Sequence, residues 1–328
     1  MNTLAQELTA FRIAKYEVVI RTGEQGLVLP PYKGSTLRGG FGRVFRRVAC
    51  AQRQGECKEC VLKETCPYAY IFETSPPEGS QVLRNLENIS RPFVLEPPLE
   101  TKTEYAPGEE LAFGLALFGK AVRYLPYFII CFEELGRVGI GKGRKPYQLA
   151  RISALDVEDT ATEIYNARDR IVKNIDIVIA GEKVWERAQA QYLGRNEISI
   201  RLLTVTRLKH DNHFVRSLPF HVLIRGLLRR ISSLSYFHHE RELRVDYKGL
   251  IERAEQVTTV KENTRWVDWA RYSHRQDGRV NLGGLMGEVT YRGNNLDEFL
   301  PLLALGELIH VGKGAVFGMG RYEIGFTK

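Results

Sequence analysis

The pattern of hydrophobic and polar positions divides the chain into two halves, and it predicts the same order of secondary-structure elements in both. In the first half, residues 11–20 (FRIAKYEVVI) are rich in β-forming side chains with partial alternation, which predicts a strand. A Gly/Pro loop follows, and STLRGGFGRVFRRVAC predicts a helix with Ser35 or Thr36 as its N-cap. Residues 111–118 and 127–132 are predicted as further strands. A Gly/Lys/Arg loop then leads into another strand.

The second half repeats this order. Residues 197–207 (EISIRLLTVTR) predict a strand, and a polar loop connects it to a long helix that Pro219 opens. The closing segment is again a Gly/Lys loop that leads into a strand. Residues 156–194, with a helical pattern and mixed charge, are predicted to connect the two halves. We interpret the recurrence as an internal duplication.

The repeated order favours an α+β fold of two tandem ferredoxin-like (RRM-like) domains, each with helices on one face of an antiparallel sheet. We predict an N-terminal domain over residues 1–155 with a cysteine-rich insertion at 50–66, a connector over 156–195 and a C-terminal domain over 196–328. The alternative is a pair of unrelated α/β domains.

The excess of basic over acidic residues indicates which class of molecule the protein binds. The 328 residues include 47 Lys and Arg against 39 Asp and Glu, a net charge of +8, which favours a polyanionic partner such as nucleic acid. The longest apolar stretch, near residues 111–132, is interrupted by Lys120 and Arg123, and the N-terminus has no hydrophobic signal core. We therefore expect no membrane partner and a cytoplasmic protein with reduced thiols.

Four cysteines form the most specific local motif. They follow the spacing C-x6-C-x2-C-x5-C at Cys50, Cys57, Cys60 and Cys66. Four thiolates so close in sequence can surround a metal ion tetrahedrally, which predicts a structural zinc site. An iron–sulfur cluster is the alternative, since cluster proteins also use Cys-x2-Cys and Cys-Pro. The cysteines could also be without a metal. The fifth, Cys131, is predicted as a core residue.

Two glycine-rich loops carry adjacent cations, which predicts phosphate binding by backbone amides and by charge. The first loop has glycines at 136, 139, 141 and 143, and its predicted RNA-binding residues are Lys142, Arg144 and Lys145. Those of the second loop are Gly312, Lys313, Gly318, Gly320 and Arg321. Neither loop is a Walker motif, and each alone could be an ordinary turn.

A third cluster interleaves arginines with aromatic side chains in RWVDWARYSHRQ. Arg271 and Arg275, beside Trp266 and Trp269, could stack on unpaired bases and form hydrogen bonds with them. The alternative is that the tryptophans belong partly to the core and partly to the surface of a strand.

Three segments together resemble the Cas-six-type CRISPR endoribonucleases of the RAMP superfamily. They are LPPYKGSTLRGGFGRVFRR, the cysteine cluster ending in CPYAYIFE, and the stretch from LLRRISSL through WVDWARYSHRQ to HVGKGAVFGMGRYEI. The closing loop is similar to the superfamily pattern G-x-G-x5-G-x-G, but His310 stands at the first glycine position. The resemblance covers most of the chain and is most pronounced after residue 221.

The resemblance implies a ribonuclease that processes CRISPR repeat RNA without a catalytic metal. The 2′-hydroxyl of the RNA attacks the adjacent phosphate and leaves a 2′,3′-cyclic phosphate, which requires a base, an acid and a cationic stabiliser. Members often carry a histidine near the first helix, whereas all seven histidines here lie at or after position 210. Tyr32, Lys33 and Arg38 occupy that region, and a lysine with a depressed pKa can replace histidine. We predict Lys33, Tyr32 and His310 as catalytic and Arg38 as RNA-binding.

Two alternatives follow from the same residues. The first is a catalytically silent RNA-binding RAMP subunit of a CRISPR effector complex, which the missing N-terminal histidine favours. The second is a zinc or iron–sulfur enzyme with its chemistry at the cysteines.

Overall fold

A computed structural model describes residues 3–52, 55–73, 89–273 and 278–326, with the backbone alone for Thr3, 270–273 and 278–281. The helices are α1 (Thr3–Leu8), α2 (Gly34–Ala49), α3 (Pro67–Phe72), α4 (Leu125–Val138), α5 (Gly181–Tyr192), α6 (Phe220–His239), α7 (Tyr247–Glu255) and α8 (Leu300–Ile309). The strands are β1 (Arg12–Thr22), β2 (Leu27–Val28), β3 (Phe93–Glu96), β4 (Glu104–Tyr105), β5 (Glu110–Phe118), β6 (Tyr147–Leu155), β7 (Ala161–Asn166), β8 (Ile179–Ala180), β9 (Glu197–Thr206), β10 (Lys209–His210), β11 (His213–Phe214), β12 (Thr258–Val267), β13 (Ala270–Ser273), β14 (Gly278–Asn281), β15 (Gly284–Arg292) and β16 (Tyr322–Gly325).

The chain forms two compact units, neither of which is one continuous segment. The N-terminal unit consists of Arg12–Ile179 and Phe237–Glu240. The C-terminal unit consists of Met1–Phe11, Ala180–Tyr236 and Arg241–Lys328. Of the predicted connector, β7 pairs with the N-terminal sheet and α5 belongs to the C-terminal unit.

The N-terminal unit is built on an antiparallel sheet with the strand order β3-β5-β1-β6-β7. Its main elements follow one another as strand, helix, two strands, helix, strand: β1, α2, β3, β5, α4, β6. β1 lies in the middle of this sheet, and its side chains at Ile13, Val18 and Ile20 are wholly buried. The predicted strands over 11–20 and 111–118 are confirmed as β1 and β5.

Helices α2 and α4 are joined by an aromatic cluster around Phe41. The Phe41 ring centroid lies 5.0 Å from that of Phe128 and 4.8 Å from that of Phe132. A Cβ on Gly40 would come within 2.8 Å of Leu135 Cδ1, so this glycine lets the two helices approach closely. The glycines that weaken the helical pattern of α2 therefore have a role in packing.

The predicted strand over residues 127–132 is wrong, because this segment lies inside helix α4. Its apolar side chains are buried at Phe128, Phe132 and Leu135, a spacing of four and three residues that places them on one helical face. Pro126 occupies the first turn, where a proline costs no hydrogen bond. Helix α2 also begins earlier than predicted, at Gly34, with Lys33 in the N-cap position and no side-chain cap.

The C-terminal unit has the same order of elements on its own antiparallel sheet. The strands lie in the order β12-β15-β9-β16, and the chain visits β9, α6, β12, β15, α8 and β16 in turn. Hairpin β10–β11 is inserted between β9 and α6, and hairpin β13–β14 between β12 and β15. Helix α8 supplies much of the core through Leu300, Leu302 and Leu303, which are wholly buried.

Both units are thus mixed α/β structures with antiparallel sheets, and each has the first strand of its repeat in the interior of the sheet. The two glycine-rich loops occupy equivalent places, each between the second helix and the last strand of the repeat. Within the described residues, no helix is both long enough and apolar enough to cross a lipid bilayer.

Candidate nucleic-acid interface

The C-terminal glycine loop joins α8 to β16 and requires its glycines for backbone geometry. Gly312, Gly314, Gly318 and Gly320 all have φ between 72° and 85°, a region that side chains with a Cβ rarely occupy. A Cβ on Gly320 would collide with the carbonyl oxygen of Val311. The spacing of these glycines is therefore set by the folding of the loop on itself.

Several amides of this loop are already engaged within the protein. Lys313 N–H donates to the carbonyl of Arg207 (2.9 Å), and Gly320 N–H donates to that of Val205 (3.0 Å). Gly318 and Gly320 are buried, Gly312 and Arg321 are half-buried, and the Lys313 side chain is exposed. The surface that this loop offers to a phosphate therefore lies at Gly312 and Lys313, not at the second pair of glycines.

His310, predicted to be catalytic, lies in the core beneath this loop. Its relative exposure is 0%, and its Nδ1 lies 3.1 Å from the carbonyl oxygen of Met319. Its φ of 63° continues the run of left-handed positions in the loop. In this conformation the imidazole cannot contact a phosphate on the surface, so its observed part is to hold the loop together.

The N-terminal basic loop, residues 139–146, is a short and internally bonded turn. Ile140 and Lys145 exchange two backbone hydrogen bonds of 3.0 Å. Lys142 and Arg144 are exposed at the tip, whereas Lys145 is half-buried and donates to Gln25 Oε1. Gly136, assigned to this loop from the sequence, belongs to α4 instead. The tip therefore presents two cations to solvent.

Lys33 is fully buried at the start of α2. Its ammonium donates to the carbonyl oxygens of Glu100 (3.0 Å) and Pro31 (3.3 Å) and lies 5.8 Å from the ring centroid of Tyr105. Burial lowers the pKa of Lys33, and the nearby Glu100 partly opposes that shift. The pKa of Lys33 is thus shifted in the direction that favours a base, and the cause of the shift is desolvation.

Tyr32 and Arg38 flank Lys33 on the same segment. Burial raises the pKa of Tyr32, so its phenol is protonated at neutral pH but is a weaker acid than that of a free tyrosine. The half-buried Arg38 guanidinium lies 5.2 Å from the ring centroid of Phe72. The candidate base, acid and cation of the N-terminal unit thus lie close in sequence, Tyr32 and Lys33 just before α2 and Arg38 in its second turn.

The predicted base-stacking cluster is described only in part. Arg271 lies on strand β13, of which the backbone is described, and Arg275 lies outside the described residues. Trp266 is half-buried, donates from Nε1 to Asp268 (2.8 Å) and has the Arg216 guanidinium 3.8 Å from its ring centroid. Trp266 is thus at the surface, in contact with a cation.

The four clustered cysteines are half-buried, but they do not form a closed coordination sphere. Burial raises the pKa of Cys57, and Glu73, Cys50 and Cys66 add to the shift. Cys50 Sγ lies 3.2 Å from the carbonyl oxygen of Gln52. No three His, Cys, Asp or Glu side chains in the described part of the chain are arranged to hold a metal ion.

Sequence reasoning missed the hairpin β10–β11, which places cations on an aromatic ring. The Arg207 guanidinium lies 4.4 Å and the Lys209 ammonium 5.2 Å from the ring centroid of Phe214. The segment RLKHDNHFVR contains the signal, which is a two-residue turn between short polar strands with a cation or an aromatic residue at alternate positions.

Two family models match successive parts of the chain. One, described as AF_1859_N, N-terminal domain, matches residues 11–177, which is half of the chain. The other, described as CRISPR-associated endoribonuclease Cas6, matches residues 200–322. A protein of Archaeoglobus fulgidus, described as uncharacterized, is 28% identical over 297 residues, which cover 90% of this chain and 92% of that protein.

Solved structures show the same fold at low sequence identity. Thermus thermophilus Cas6 (TTHB231) has a TM-score of 0.53 at 17% identity over 96% of this chain and 99% of that one. A Cas6 (TTHB231) product complex gives 0.56 at 17% identity over 95% and 99%. A partial Cas6-RT-Cas1–Cas2 complex gives 0.58 at 13% identity over 97% of this chain and 47% of the other. By its longer match, over half of its length, the chain belongs to the family described as AF_1859_N, N-terminal domain, and its residues 200–322 match the CRISPR-associated endoribonuclease Cas6 family.

Proposed function

We propose that this protein is an endoribonuclease that cleaves CRISPR repeat RNA and needs no metal ion for the reaction. The 2′-oxygen of the RNA attacks the adjacent phosphorus, and the bond from phosphorus to the 5′-oxygen breaks. A base takes the 2′-proton and an acid protonates the 5′-oxygen, leaving a 2′,3′-cyclic phosphate and a 5′-hydroxyl. The observation that carries the proposal is the match of residues 200–322 to the Cas6 endoribonuclease family.

The fold supports the same conclusion. Each unit orders its four main strands as second, third, first and fourth of a strand–helix–strand–strand–helix–strand repeat. This is the order of the ferredoxin-like fold, and we propose a tandem of two such domains. The exposed cations Lys142, Arg144 and Lys313 are positioned at the ends of equivalent loops, where they would neutralise RNA phosphates.

For the chemistry itself we propose the segment around Lys33. Lys33, with its pKa lowered by burial, is the candidate base, and Tyr32, whose phenol carries a proton at neutral pH although burial weakens it as an acid, is the candidate acid. Arg38 would stabilise the charge that develops on the phosphate. Because Lys33 is buried here, RNA binding must move its side chain away from the carbonyls of Pro31 and Glu100.

A second candidate function is an RNA-binding subunit that does not cleave. The specific observation in its favour is that Lys33 and His310 both have a relative exposure of 0%. One fold neighbour is a complex of Cas6-RT-Cas1 with Cas2. In this alternative the protein would hold repeat RNA within an assembly of Cas proteins.

We also propose that the four clustered cysteines bind a structural zinc ion, with an iron–sulfur cluster as the alternative, and that this metal takes no part in cleavage. Support comes from the number of thiols and from their close spacing in the sequence. Metal binding would have to draw the thiols closer than they lie in this structure.

The test of cleavage uses labelled repeat RNA in the presence of EDTA. We expect a product with a 2′,3′-cyclic phosphate and no loss of rate on chelation, because the substrate supplies its own nucleophile. A single deoxyribose at the nucleotide 5′ of the cut should abolish the product. RNA that binds tightly but stays intact would instead establish the non-cleaving alternative.

A further inference from the structure

Hairpin β10–β11 carries a surface that the proposed chemistry does not use. We call it the Phe214 surface and define it by Arg207, Lys209, Phe214, Arg216 and Trp266. Its turn residues Asp211 and Asn212 have φ of 46° and 64°, as the two central residues of a type I′ hairpin turn do. The turn fixes the register, so that Lys209 pairs directly with Phe214.

The aromatic rings of this surface are partly exposed, and each lies next to at least one cationic side chain. Phe214 has Arg207 at 4.4 Å and Lys209 at 5.2 Å from its ring centroid, and Trp266 has Arg216 at 3.8 Å. Phe214 and Trp266 are half-buried, and Lys209 and Arg216 are exposed. Aromatic side chains flanked by arginine or lysine are what proteins use to stack unpaired bases and neutralise the adjoining phosphates.

The cations of the Phe214 surface lack acidic partners, unlike many others in the same unit. Arg292 is paired with Glu197 at 2.7 Å and Arg253 with Glu298 at 2.8 Å. In the described part of the chain, Arg207, Lys209 and Arg216 form no such ion pair, and Arg207 Nε has no hydrogen-bond acceptor. Within the described residues, no carboxylate is therefore paired with Lys209 or Arg216, whose exposed side chains an anion can reach, whereas the Arg207 Nε is buried.

The Phe214 surface adjoins the exposed part of the C-terminal glycine loop. The carbonyl of Arg207 accepts the N–H of Lys313, and a Cβ on Gly312 would collide with that same carbonyl. Both loops belong to one unit, so their spacing is fixed by direct backbone contact. The exposed Lys313 extends the row of cations beyond the hairpin, which fits an extended polyanion better than a single phosphate ion.

We propose that the Phe214 surface binds an unpaired stretch of RNA, with a base stacked on Phe214 and the flanking phosphates next to Lys209 and Arg216. This inference rests on the proposed function for the identity of the ligand as RNA, but it does not require cleavage. Single-stranded RNA is favoured over duplex because a base must leave its stack to reach an aromatic ring.

The test measures binding of a fluorescent single-stranded RNA of about 8 nucleotides to the full chain. Phe214→Ala should weaken binding by about 5- to 150-fold, the usual effect of losing one base–aromatic stack, and Phe214→Tyr should restore it. Lys209→Ala should lower the slope of log affinity against log salt by about 0.7. Arg292→Ala, which removes an ion-paired arginine of the same unit, is the matched control and should bind like the parent.

Parental affinity in both Phe214→Ala and Lys209→Ala would overturn the inference, as would an acidic peptide that displaces the RNA at equal concentration. Cleavage assays separate this failure from failure of the proposed function. If the parent protein cleaves repeat RNA and both variants bind RNA normally, the proposed role of the Phe214 surface is wrong and the proposed nuclease function stands. If the parent never cleaves, but Phe214→Ala abolishes binding to single-stranded RNA, the proposed nuclease function is wrong and the role of the Phe214 surface stands.

Discussion

At the scale of single residues, the environment of Lys33 is the feature most directly tied to activity. A buried ammonium is costly unless it is hydrogen-bonded, and here two backbone carbonyls supply the bonds. One of these, from Glu100, lies 67 residues away along the chain. The sequence could therefore indicate a lysine in a catalytic segment but not that it would be enclosed, because enclosure depends on a distant loop.

Replacing Lys33 by methionine separates a catalytic from a structural role. If Lys33 acts as a base, Lys33→Met should reduce single-turnover cleavage of repeat RNA by about 10²–10⁴-fold while the melting temperature stays equal or rises. The control is Lys102→Met, since Lys102 also lies over the Tyr105 ring, at 5.0 Å, but is partly exposed. A parental cleavage rate in Lys33→Met would remove Lys33 from the proposed site.

The cysteine cluster makes a second prediction at this scale. Elemental analysis of the untagged protein should find one zinc ion per chain, or iron with sulfide. The double variant Cys57→Ser, Cys60→Ser should lose that metal and melt at a lower temperature before its cleavage rate falls, because structural metal binding contributes to folding. Cys131→Ser, at a buried thiol outside the cluster, should keep the metal. A metal-free parent with unchanged melting in the double variant would contradict the site.

At the scale of secondary-structure elements, the sequence predicted three strands correctly but mistook part of helix α4 for a strand. Strands β1, β5 and β9 combine β-forming residues with partial alternation, and each was placed within two residues of its bounds. The segment around Phe128 was mistaken for a strand because a short apolar run has no diagnostic period. The missed signal was Pro126, which marks a helix start. The hydrogen bonds that Lys313 and Gly320 donate could not be predicted, since their acceptors, the carbonyls of Arg207 and Val205, belong to a segment more than 100 residues earlier in the chain.

The C-terminal glycine loop allows its folding and binding roles to be tested apart. Gly320→Val should lower the melting temperature strongly, because the new side chain would meet the Val311 carbonyl and the backbone is left-handed there. Lys313→Ala should leave melting unchanged but weaken binding to many RNA sequences alike and reduce the salt slope by about 0.7. If Lys313→Ala changes neither affinity nor slope, the loop is an ordinary turn.

At the scale of the whole molecule, the two units exchange short segments of chain. Residues Phe237–Glu240 complete the N-terminal unit, where His238 is almost fully buried and lies 3.0 Å from Tyr70 Oη and 2.8 Å from the Ser90 carbonyl. In the same unit His239 Nε2 accepts the N–H of Arg12 at 3.0 Å. The repeated order of elements was visible in the sequence, whereas the assignment of residues 237–240 to the other unit leaves no mark on the hydrophobic pattern.

Loss of this segment should destabilise the N-terminal unit. His238→Phe fills similar space but removes both hydrogen bonds, which should cost about 1–3 kcal/mol in the free energy of unfolding. His213→Phe, at an exposed histidine, is the control and should change stability little. A fragment of residues 12–179 expressed alone should melt below the intact protein by circular dichroism. A fragment as stable as the whole chain would show that the exchanged segment is dispensable.

The repeated topology also has an evolutionary consequence. In both units the connection from the first strand to the first helix is where the candidate chemistry lies: Lys33 in the N-terminal unit and the Phe214 surface in the C-terminal unit. Because the chain has this connection twice, one of the two can change its function while the other keeps its own. Variants that exchange these two connections between the units would therefore test whether each connection works only on its own sheet.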